Sequence, residues 1–220
     1  MRNSLFVLCL FTLALGGCSG STDSNGEDGA SLEDSTTVSA ENEATRPAML
    51  SRKNRVPFEK KLDQAPLRFQ LSSPNVPDEN TLVITASGLE TRNDTFQVAV
   101  AGRVTGAQLA DLDKDGYPEV YAFARSSGSD STAYVYAFSS YRNRSYGPVG
   151  VSELAAQKEM AEGFNGHDRF FFKDGVLMRS FPIYQAGKPT GQWRVITYSL
   201  RQGEASFILE PISSEAVDGK

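Results

Sequence analysis

The sequence is organised around Asp111-Leu-Asp113-Lys-Asp115-Gly116-Tyr117-Pro118-Glu119-Val-Tyr-Ala-Phe123, which leads through a polar loop into Ala133-Tyr-Val-Tyr-Ala-Phe138. Both apolar runs consist of residue types that favour β-strands. Three carboxylates at alternate positions and a glycine form a turn before the first run, and Pro118 starts it. The stretch therefore predicts two strands that follow an acidic turn and are joined by a loop of Ser, Gly, Asp and Thr.

Short apolar runs with a period of two continue from Leu67 onward, which indicates half-buried strands. The predicted strands are 82–87, 95–101, 118–124, 133–139, 169–173, 176–184, 192–200 and 206–211. Hairpin turns are predicted at 173–175 and 202–204, where Gly175 and Gly203 supply a left-handed backbone angle. Only 152–162 has helical composition, with Ser152 as its cap. We predict an all-β fold, an antiparallel β-sandwich of about eight strands with at most one short helix.

The N-terminus has the features of an export signal: Arg2, an apolar run over 5–15, and small residues before Cys18. The apolar run is too short to span a bilayer as a permanent helix. Leu15-Gly-Gly-Cys18 resembles a bacterial lipobox, which implies a signal peptide over 1–17 and lipidation of Cys18. Because Ser19 follows the cysteine, the resemblance implies an outer-membrane lipoprotein that faces the periplasm. A signal peptide with an incidental cysteine is the alternative.

Composition divides the rest of the chain. Residues 18–55 are rich in Ser, Thr and acids and contain no aromatic residue, which predicts a disordered tether. A β-sandwich domain over 56–213 and a flexible tail over 214–220 are predicted to follow. From Pro47 onward 20 acidic side chains balance 20 basic ones, so this domain lacks the basic field that nucleic acid requires. The two cysteines, Cys9 and Cys18, precede the domain, which therefore has no disulfide.

The acidic turn is a candidate calcium site because its oxygens occupy alternate positions of a calcium-binding loop. An EF-hand would place a glutamate at the twelfth position and a helix after it, whereas this chain has Ala122 within a predicted strand. Two interpretations stay open: a calcium site, or a tight turn whose aspartates accept hydrogen bonds from their own backbone amides. The candidate ligands are Asp111, Asp113, Asp115, Tyr117 (through its carbonyl) and Glu119.

Catalytic constellations are poorly supported. His167 is the single histidine, and the chain has no Gly-x-Ser-x-Gly motif for a serine hydrolase. Zinc would need more histidine or cysteine than the domain contains. Glu119 with Asp130 or Asp168 could in principle form the carboxylate pair of a glycosidase. A hydrolase of the cell envelope is therefore the least favoured class of function.

Several blocks, in matching order, resemble the periplasmic inhibitors of invertebrate-type (i-type) lysozyme, the PliI-like family. The likeness extends from about residue 82 to residue 211. The resemblance implies a β-sandwich that is not an enzyme, and that binds an animal lysozyme and occludes its active-site cleft with a hydroxyl-bearing loop. The blocks are the acidic turn with its strand, Ser127-Gly-Ser129, Gly163-Phe-Asn-Gly-His-Asp168, Leu177-Met-Arg-Ser-Phe-Pro-Ile-Tyr184, Pro189-Thr-Gly191 and Tyr198-x-Leu200.

The resemblance places lysozyme binding on the loop and the start of the following strand, at Ser127, Gly128, Ser129, Ser131, Thr132 and Tyr134. A hydroxyl between the two catalytic carboxylates of a muramidase excludes the sugar. Relatives tend to carry glycine and then tyrosine where this chain has Asp130 and Thr132, and an acid there repels the enzyme's acids unless a base intervenes. A solvated linker is the alternative for the loop.

For the protein as a whole, the alternative function is a calcium-stabilised envelope binding module without inhibitory activity. The expected partners are i-type lysozyme and, through the lipid anchor, the membrane; a homodimer is left open.

Overall fold

The computed structural model describes residues 56–76 and 79–219, so Cys18 and the predicted tether lie outside the described residues. Within the described part the chain forms thirteen strands and one short 3-10 helix. The predicted all-β class is confirmed, as is the largely antiparallel pairing. In the same part of the chain, no helix combines the length and the apolar character needed to cross a membrane.

The first sheet contains four strands paired in chain order: β1 (Phe58–Gln64), β2 (Leu67–Ser73), β3 (Asn80–Ser87) and β4 (Asp94–Val100). Burial along β3 alternates at every residue, which is the period that the sequence indicates. The predicted count of about eight strands is too low, since β1, β2 and the strand Arg103–Ala110 are not among the predicted ones. Strand β1 was missed because its segment, FEKKLDQ, carries four charges and buries its side chains only in part. Charged residues of this kind are usual on an edge strand, where they prevent pairing with other chains.

The second sheet contains β5 (Arg103–Ala110), β6 (Glu119–Arg125), β7 (Ala133–Ser140) and β8 (Tyr146–Pro148). Its strand β6 is buried on both faces, since Val120, Tyr121 and Ala122 are all fully inaccessible. A strand covered on both sides has a continuous apolar sequence instead of an alternating one. This burial explains the Val-Tyr-Ala-Phe run.

The third sheet contains β9 (Gly150–Val151), β10 (Arg169–Lys173), β11 (Val176–Gln185), β12 (Lys188–Gln202) and β13 (Phe207–Asp218). The strand order is β10-β11-β12-β13-β9, and only the short β9 pairs in parallel. Strand β13 stays paired with β12 through Asp218, which corrects the predicted start of a flexible tail at 214.

Two hydrophobic cores lie on opposite faces of the second sheet. In the first core, Phe69, Leu71 and Ile84 of the first sheet pack with Val120, Ala122 and Phe138. In the second core, Tyr121, Val135 and Ala137 pack with Leu177, Ile196 and Leu209 of the third sheet. Successive residues of β6 therefore face different cores. The predicted two-layer sandwich is not confirmed in that form, because three sheets share these two cores.

Asn75 joins the first sheet to the second. Its side chain accepts a hydrogen bond from the Val104 N–H (2.8 Å) and donates one to the Val104 carbonyl (3.2 Å). Asn75 is only 4 % exposed, so these bonds satisfy a buried amide.

Residues 152–162 do not form the predicted helix. A single 3-10 turn covers Leu154–Ala156. Ser152 does not cap it, because its backbone N–H donates to the Leu209 carbonyl (3.0 Å) and so extends the pairing of β9 with β13. Glu153 holds the N-cap position without a side-chain capping bond. The rest of the segment consists mainly of turns.

One predicted glycine conformation is confirmed and the other is wrong. Asp174 (φ 51°) and Gly175 (φ 78°) make the left-handed two-residue turn between β10 and β11. Gly203 does not adopt a left-handed angle. Its need for glycine is steric, since an added Cβ would lie 2.8 Å from the Ser206 carbonyl oxygen.

Candidate functional site

The Ser/Gly loop lies at the end of the β6–β7 hairpin. The last pair of the two strands is Arg125 with Ala133, and the Ser126 N–H donates to the Thr132 carbonyl (2.8 Å) to close the loop. Residues 127–130 are exposed, whereas Ser131 and Thr132 are half-buried. The loop therefore projects from its own sheet and does not lie against it.

The Asp130 carboxylate faces its own loop. It accepts hydrogen bonds from the hydroxyls of Thr132 (2.6 Å) and Ser126 (3.2 Å). The Thr132 bond, supported by the Ser126 bond, lowers the pKa of Asp130. Gly128 is needed beside it, because an added Cβ would lie 2.7 Å from an Asp130 oxygen. These contacts hold the Asp130 side chain against its own loop.

Arg125 holds the base of the loop through hydrogen bonds of its guanidinium group. Its Nη1 donates to the carbonyl (2.8 Å) and the hydroxyl (2.9 Å) of Ser131, and its Nη2 donates to the Asp168 carbonyl (2.8 Å). Ser131 has a left-handed backbone angle (φ 47°), which these bonds hold in place. The Ser131 hydroxyl is therefore engaged within the protein.

The 163–168 block supports the loop from the side. The His167 N–H donates to the Asp130 carbonyl (2.6 Å), and an Asp168 side-chain oxygen accepts from the Ala133 N–H (2.8 Å). Gly166 allows this approach, because an added Cβ would lie only 2.1 Å from the Asp130 carbonyl oxygen. His167 itself has a left-handed angle and stacks on Tyr184. The block thus serves as the support of the loop.

The predicted loop residues fall into three groups. Ser127, Gly128 and Ser129 form the exposed apex, and the hydroxyls of the two serines make no hydrogen bond within the described chain. Ser131 and Thr132 are used to hold the loop. Tyr134 lies outside it, in β7, where it packs half-buried against the first core. The sequence reasoning missed Arg125 and the role of Gly166, because contacts between residues distant in sequence leave no local pattern.

The acidic turn brings four carboxylates together. One oxygen each of Asp111, Asp113, Asp115 and Glu119 lies within 4.8 Å of the others, so the group could hold a metal ion. Oxygens that share a Ca²⁺ ion at about 2.4 Å lie no farther apart than about 4.8 Å. Tyr117 belongs to the same turn, where its N–H donates to Asp115 (2.8 Å).

Backbone hydrogen bonds also shape this turn. Asp111 accepts from the N–H groups of Asp115 (3.1 Å) and Gly116 (3.0 Å), as the alternative interpretation requires. The carboxylate cluster and the hydrogen bonds to backbone amides therefore occur in the same turn. The aspartates order the turn, and the order places their oxygens around a common point.

Glu119 is the buried member of the acidic cluster, with only 1 % of the residue exposed. One oxygen accepts from the Leu112 N–H (2.8 Å) and from the Tyr121 hydroxyl (3.3 Å). Burial, with a smaller contribution from Asp113 and Asp111, raises the pKa of Glu119 to about 8. Burial likewise raises the pKa of Asp113, and Asp115 adds to that rise. The cluster holds negative charge at a cost that a bound cation would remove.

The acidic turn and the Ser/Gly loop lie at opposite ends of β6. Glu119 starts the strand and Arg125 ends it, so about 20 Å separates them at the usual rise of a strand. Asp130 and Asp168 both contact the loop end. Neither can approach Glu119 to the separation of less than about 10 Å that paired glycosidase carboxylates need.

Comparisons with models of protein families, with characterised proteins and with solved structures found no match to this chain.

Proposed function

We propose that the protein is a lipid-anchored inhibitor of i-type lysozyme, which blocks the active-site cleft of the enzyme with the apex Ser127-Gly128-Ser129. The observation that carries the proposal is the braced, outward loop, whose two apical hydroxyls have no partner within the described chain. An exposed loop fixed at both sides loses little conformational freedom on binding.

The mechanism follows from the chemistry of a lysozyme cleft. Two carboxylates flank the bond to be cleaved, and each accepts hydrogen bonds. The hydroxyls of Ser127 and Ser129 are donors small enough to enter such a cleft beside Gly128. Hydrogen bonds to charged groups contribute about 1.5–3 kcal/mol each. The bonds of the Asp130 carboxylate to Thr132 and Ser126 hold that acid to the loop and limit its repulsion of the enzyme.

The proposed location depends on the N-terminal sequence. A lipid on Cys18 would anchor the protein in the outer membrane, and the tether 18–55 would let the domain meet a lysozyme that enters the periplasm. This arrangement places the inhibitor between the incoming enzyme and the cell wall.

We also propose that the acidic turn binds a structural calcium ion. Asp111, Asp113, Asp115 and Glu119 would hold it with hard oxygen ligands, and the Tyr117 carbonyl would complete the set. A bound cation would supply positive charge that offsets the mutual repulsion of the carboxylates. Because the turn lies at the far end of β6, calcium would stabilise the domain without touching a lysozyme. This cluster is also what favours the second candidate, a calcium-stabilised envelope binding module without inhibitory activity.

The test is inhibition of muramidase activity by the full chain carrying Cys18→Ser, which removes the predicted lipid attachment. We expect stoichiometric inhibition of an i-type lysozyme. The double variant Ser127→Ala/Ser129→Ala should weaken inhibition by at least about 10- to 100-fold, the equivalent of one charged hydrogen bond, and by more if both hydroxyls bind carboxylates. Ser213→Ala, at an exposed serine of β13, is the matched control and should leave inhibition unchanged.

Two results would count against the proposal. Full activity of i-type lysozyme at an excess of the folded protein would leave the binding-module alternative. If the loop variant and the control variant inhibit equally well, the loop is not the surface that contacts the lysozyme. Assays with vertebrate- and goose-type lysozymes define the enzyme class.

A further inference from the structure

A cavity of about 690 Å³ opens between β7, the 151–164 segment and the third sheet. Its walls are mainly apolar and include Val135, Leu154, Phe164 and Phe170. This volume falls in the range of about 300–1,000 Å³ that is usual for sites of small organic ligands. The cavity does not include the exposed apex at 127–129, although Thr132 at the base of the loop is one of the residues that line it.

A buried guanidinium forms the polar end of the cavity. Arg179 lines it and is only 8 % exposed. Its Nε donates to the fully buried carboxylate of Asp168 (2.6 Å), and the Tyr198 hydroxyl lies within hydrogen-bonding reach of the guanidinium. One hydroxyl cannot satisfy the four terminal N–H groups, and buried donors without partners are costly and uncommon in native proteins. The remaining N–H groups therefore indicate that something else accepts their hydrogen bonds.

Aromatic rings hold the guanidinium in position. The Arg179 Cζ lies 4.9 Å from the ring centre of Phe164 and 5.1 Å from that of Phe170. Such contacts and the Nε bond fix the planar group, so its outer edge is preorganised for a two-oxygen acceptor. Tyr198 also lines the cavity, and the adjacent guanidinium opposes the rise in its pKa that burial causes. Its hydroxyl stays protonated and can donate as well.

The charge around this end favours an anion. Arg125 and Arg179 both bond to Asp168, Arg125 through the carbonyl and Arg179 through the carboxylate. Within the described chain, Asp168 is the only carboxylate that forms an ion pair with either arginine. Arg179 lines the cavity, whereas Arg125 does not line it but adds its positive charge to the same cluster through its bond to Asp168. Lys158 and Glu153 at the rim offset each other, so one carboxylate paired with Arg179 would balance the charge of the cluster.

We propose that the cavity binds a small apolar monocarboxylate, whose carboxylate pairs with the terminal nitrogens of Arg179 and whose hydrocarbon part packs against Val135, Leu154 and Phe170. Bidentate arginine–carboxylate pairing supplies the specificity, and the apolar walls supply burial. The proposal stands on the cavity alone and does not depend on lysozyme inhibition.

The test compares octanoate with 1-octanol by titration calorimetry on the full chain carrying Cys18→Ser, so that no lipid of its own competes. We expect saturable binding at one site, with octanoate bound at least 10-fold more tightly than the uncharged alcohol. Arg179→Gln should abolish that preference. Should this variant not fold, Tyr198→Phe keeps the ring and should reduce the preference several-fold.

Two neighbouring alanines of the 3-10 turn provide a matched pair. Ala155 lines the cavity and Ala156 does not, and both are exposed. Ala155→Phe should weaken octanoate binding at least 10-fold, whereas Ala156→Phe should change it less than 2-fold. The proposal is overturned if neither compound binds, which would mean that water fills the cavity. It is also overturned if octanoate and octanol bind equally or if the two phenylalanine variants behave alike.

Discussion

Replacing Glu119 by glutamine should make the stability of the domain less sensitive to pH. The amide keeps an acceptor for the Leu112 N–H and the Tyr121 hydroxyl but cannot ionise. In the folded protein without metal, burial raises the pKa of Glu119 from 4.5 to about 8. Between these values the folded state binds more protons than the unfolded state, so this group lowers stability as pH rises. Below pH 4.5 it has no such effect, and above pH 8 the loss is complete.

The magnitude follows from the two pKa values. At about 1.36 kcal/mol for each pH unit, the interval from 4.5 to about 8 corresponds to a loss of about 5 kcal/mol at most. For a domain of this size, each 1 kcal/mol changes the melting temperature by about 2–4 °C. Between pH 5 and about 8 the loss is about 4 kcal/mol at most, so we expect the melting temperature of Glu119→Gln, relative to wild type, to rise by up to about 8–16 °C between pH 5 and pH 8.5.

Thermal unfolding followed by circular dichroism in the presence of a chelator measures this difference. The control is Asp174→Asn, the same chemical change in an exposed hairpin turn, for which we expect a melting temperature that parallels wild type. Millimolar Ca²⁺ should then raise the melting temperature of wild type at pH 8.5, because a ligand at 100 times its dissociation constant adds about 2.7 kcal/mol to the free energy of unfolding. The variant should gain less, since it lacks one ligand.

Two outcomes would refute this reasoning. A constant difference between Glu119→Gln and wild type from pH 5 to pH 8.5 would show that the carboxyl does not titrate as a buried group. A wild-type melting temperature that does not respond to Ca²⁺ at any of these pH values would remove the structural metal from the proposal.

Three substitutions test the contacts that shape the domain. Gly166→Ala should lower the free energy of unfolding by about 2–4 kcal/mol and weaken inhibition, because its Cβ would meet the Asp130 carbonyl. Gly187 has a similar left-handed angle in open space, so Gly187→Ala should cost only about 1 kcal/mol. Equal losses in chemical denaturation would contradict the support role of Gly166. Asp168→Asn removes the charge beside the buried Arg179 and should cost about 3–5 kcal/mol, and a loss below 1 kcal/mol would disprove a buried ion pair. Asn75→Ala removes the hydrogen bonds of a buried amide to both backbone groups of Val104 and should cost about 2–3 kcal/mol by the same measurement, so an unchanged midpoint would argue against its joining role.

The sequence could predict those features that depend on short-range pattern. Alternating burial in β3 and the left-handed turn at Asp174-Gly175 follow from residue type and spacing alone. The acidic cluster was predictable for the same reason, since alternate carboxylates in a tight turn point toward one centre. The apex of the loop was found because its composition differs from that of the strands beside it.

Features that depend on distant partners were not predictable. Strand β1 carries a surface-like sequence, and its place in the sheet comes from pairing with β2. The 152–162 segment has helix-forming residues, but Ser152 is bound to Leu209, more than fifty residues away. The third sheet covers a face of β6 that a two-layer sandwich would leave exposed to solvent. In a short apolar run, no local pattern distinguishes a strand that is buried on one face from a strand that is buried on both.

The shared middle sheet has a consequence for how the chain reaches its native state in the cell. When synthesis has reached Val100, all strands of the first sheet exist, but its apolar face is still uncovered. The residues of the second sheet that cover this face extend to Phe138. The second sheet then exposes its other apolar face until the third sheet has been synthesised as far as Leu209. The growing chain therefore exposes apolar surface until almost all of it has been synthesised. We expect it to need a chaperone that covers this surface until synthesis ends.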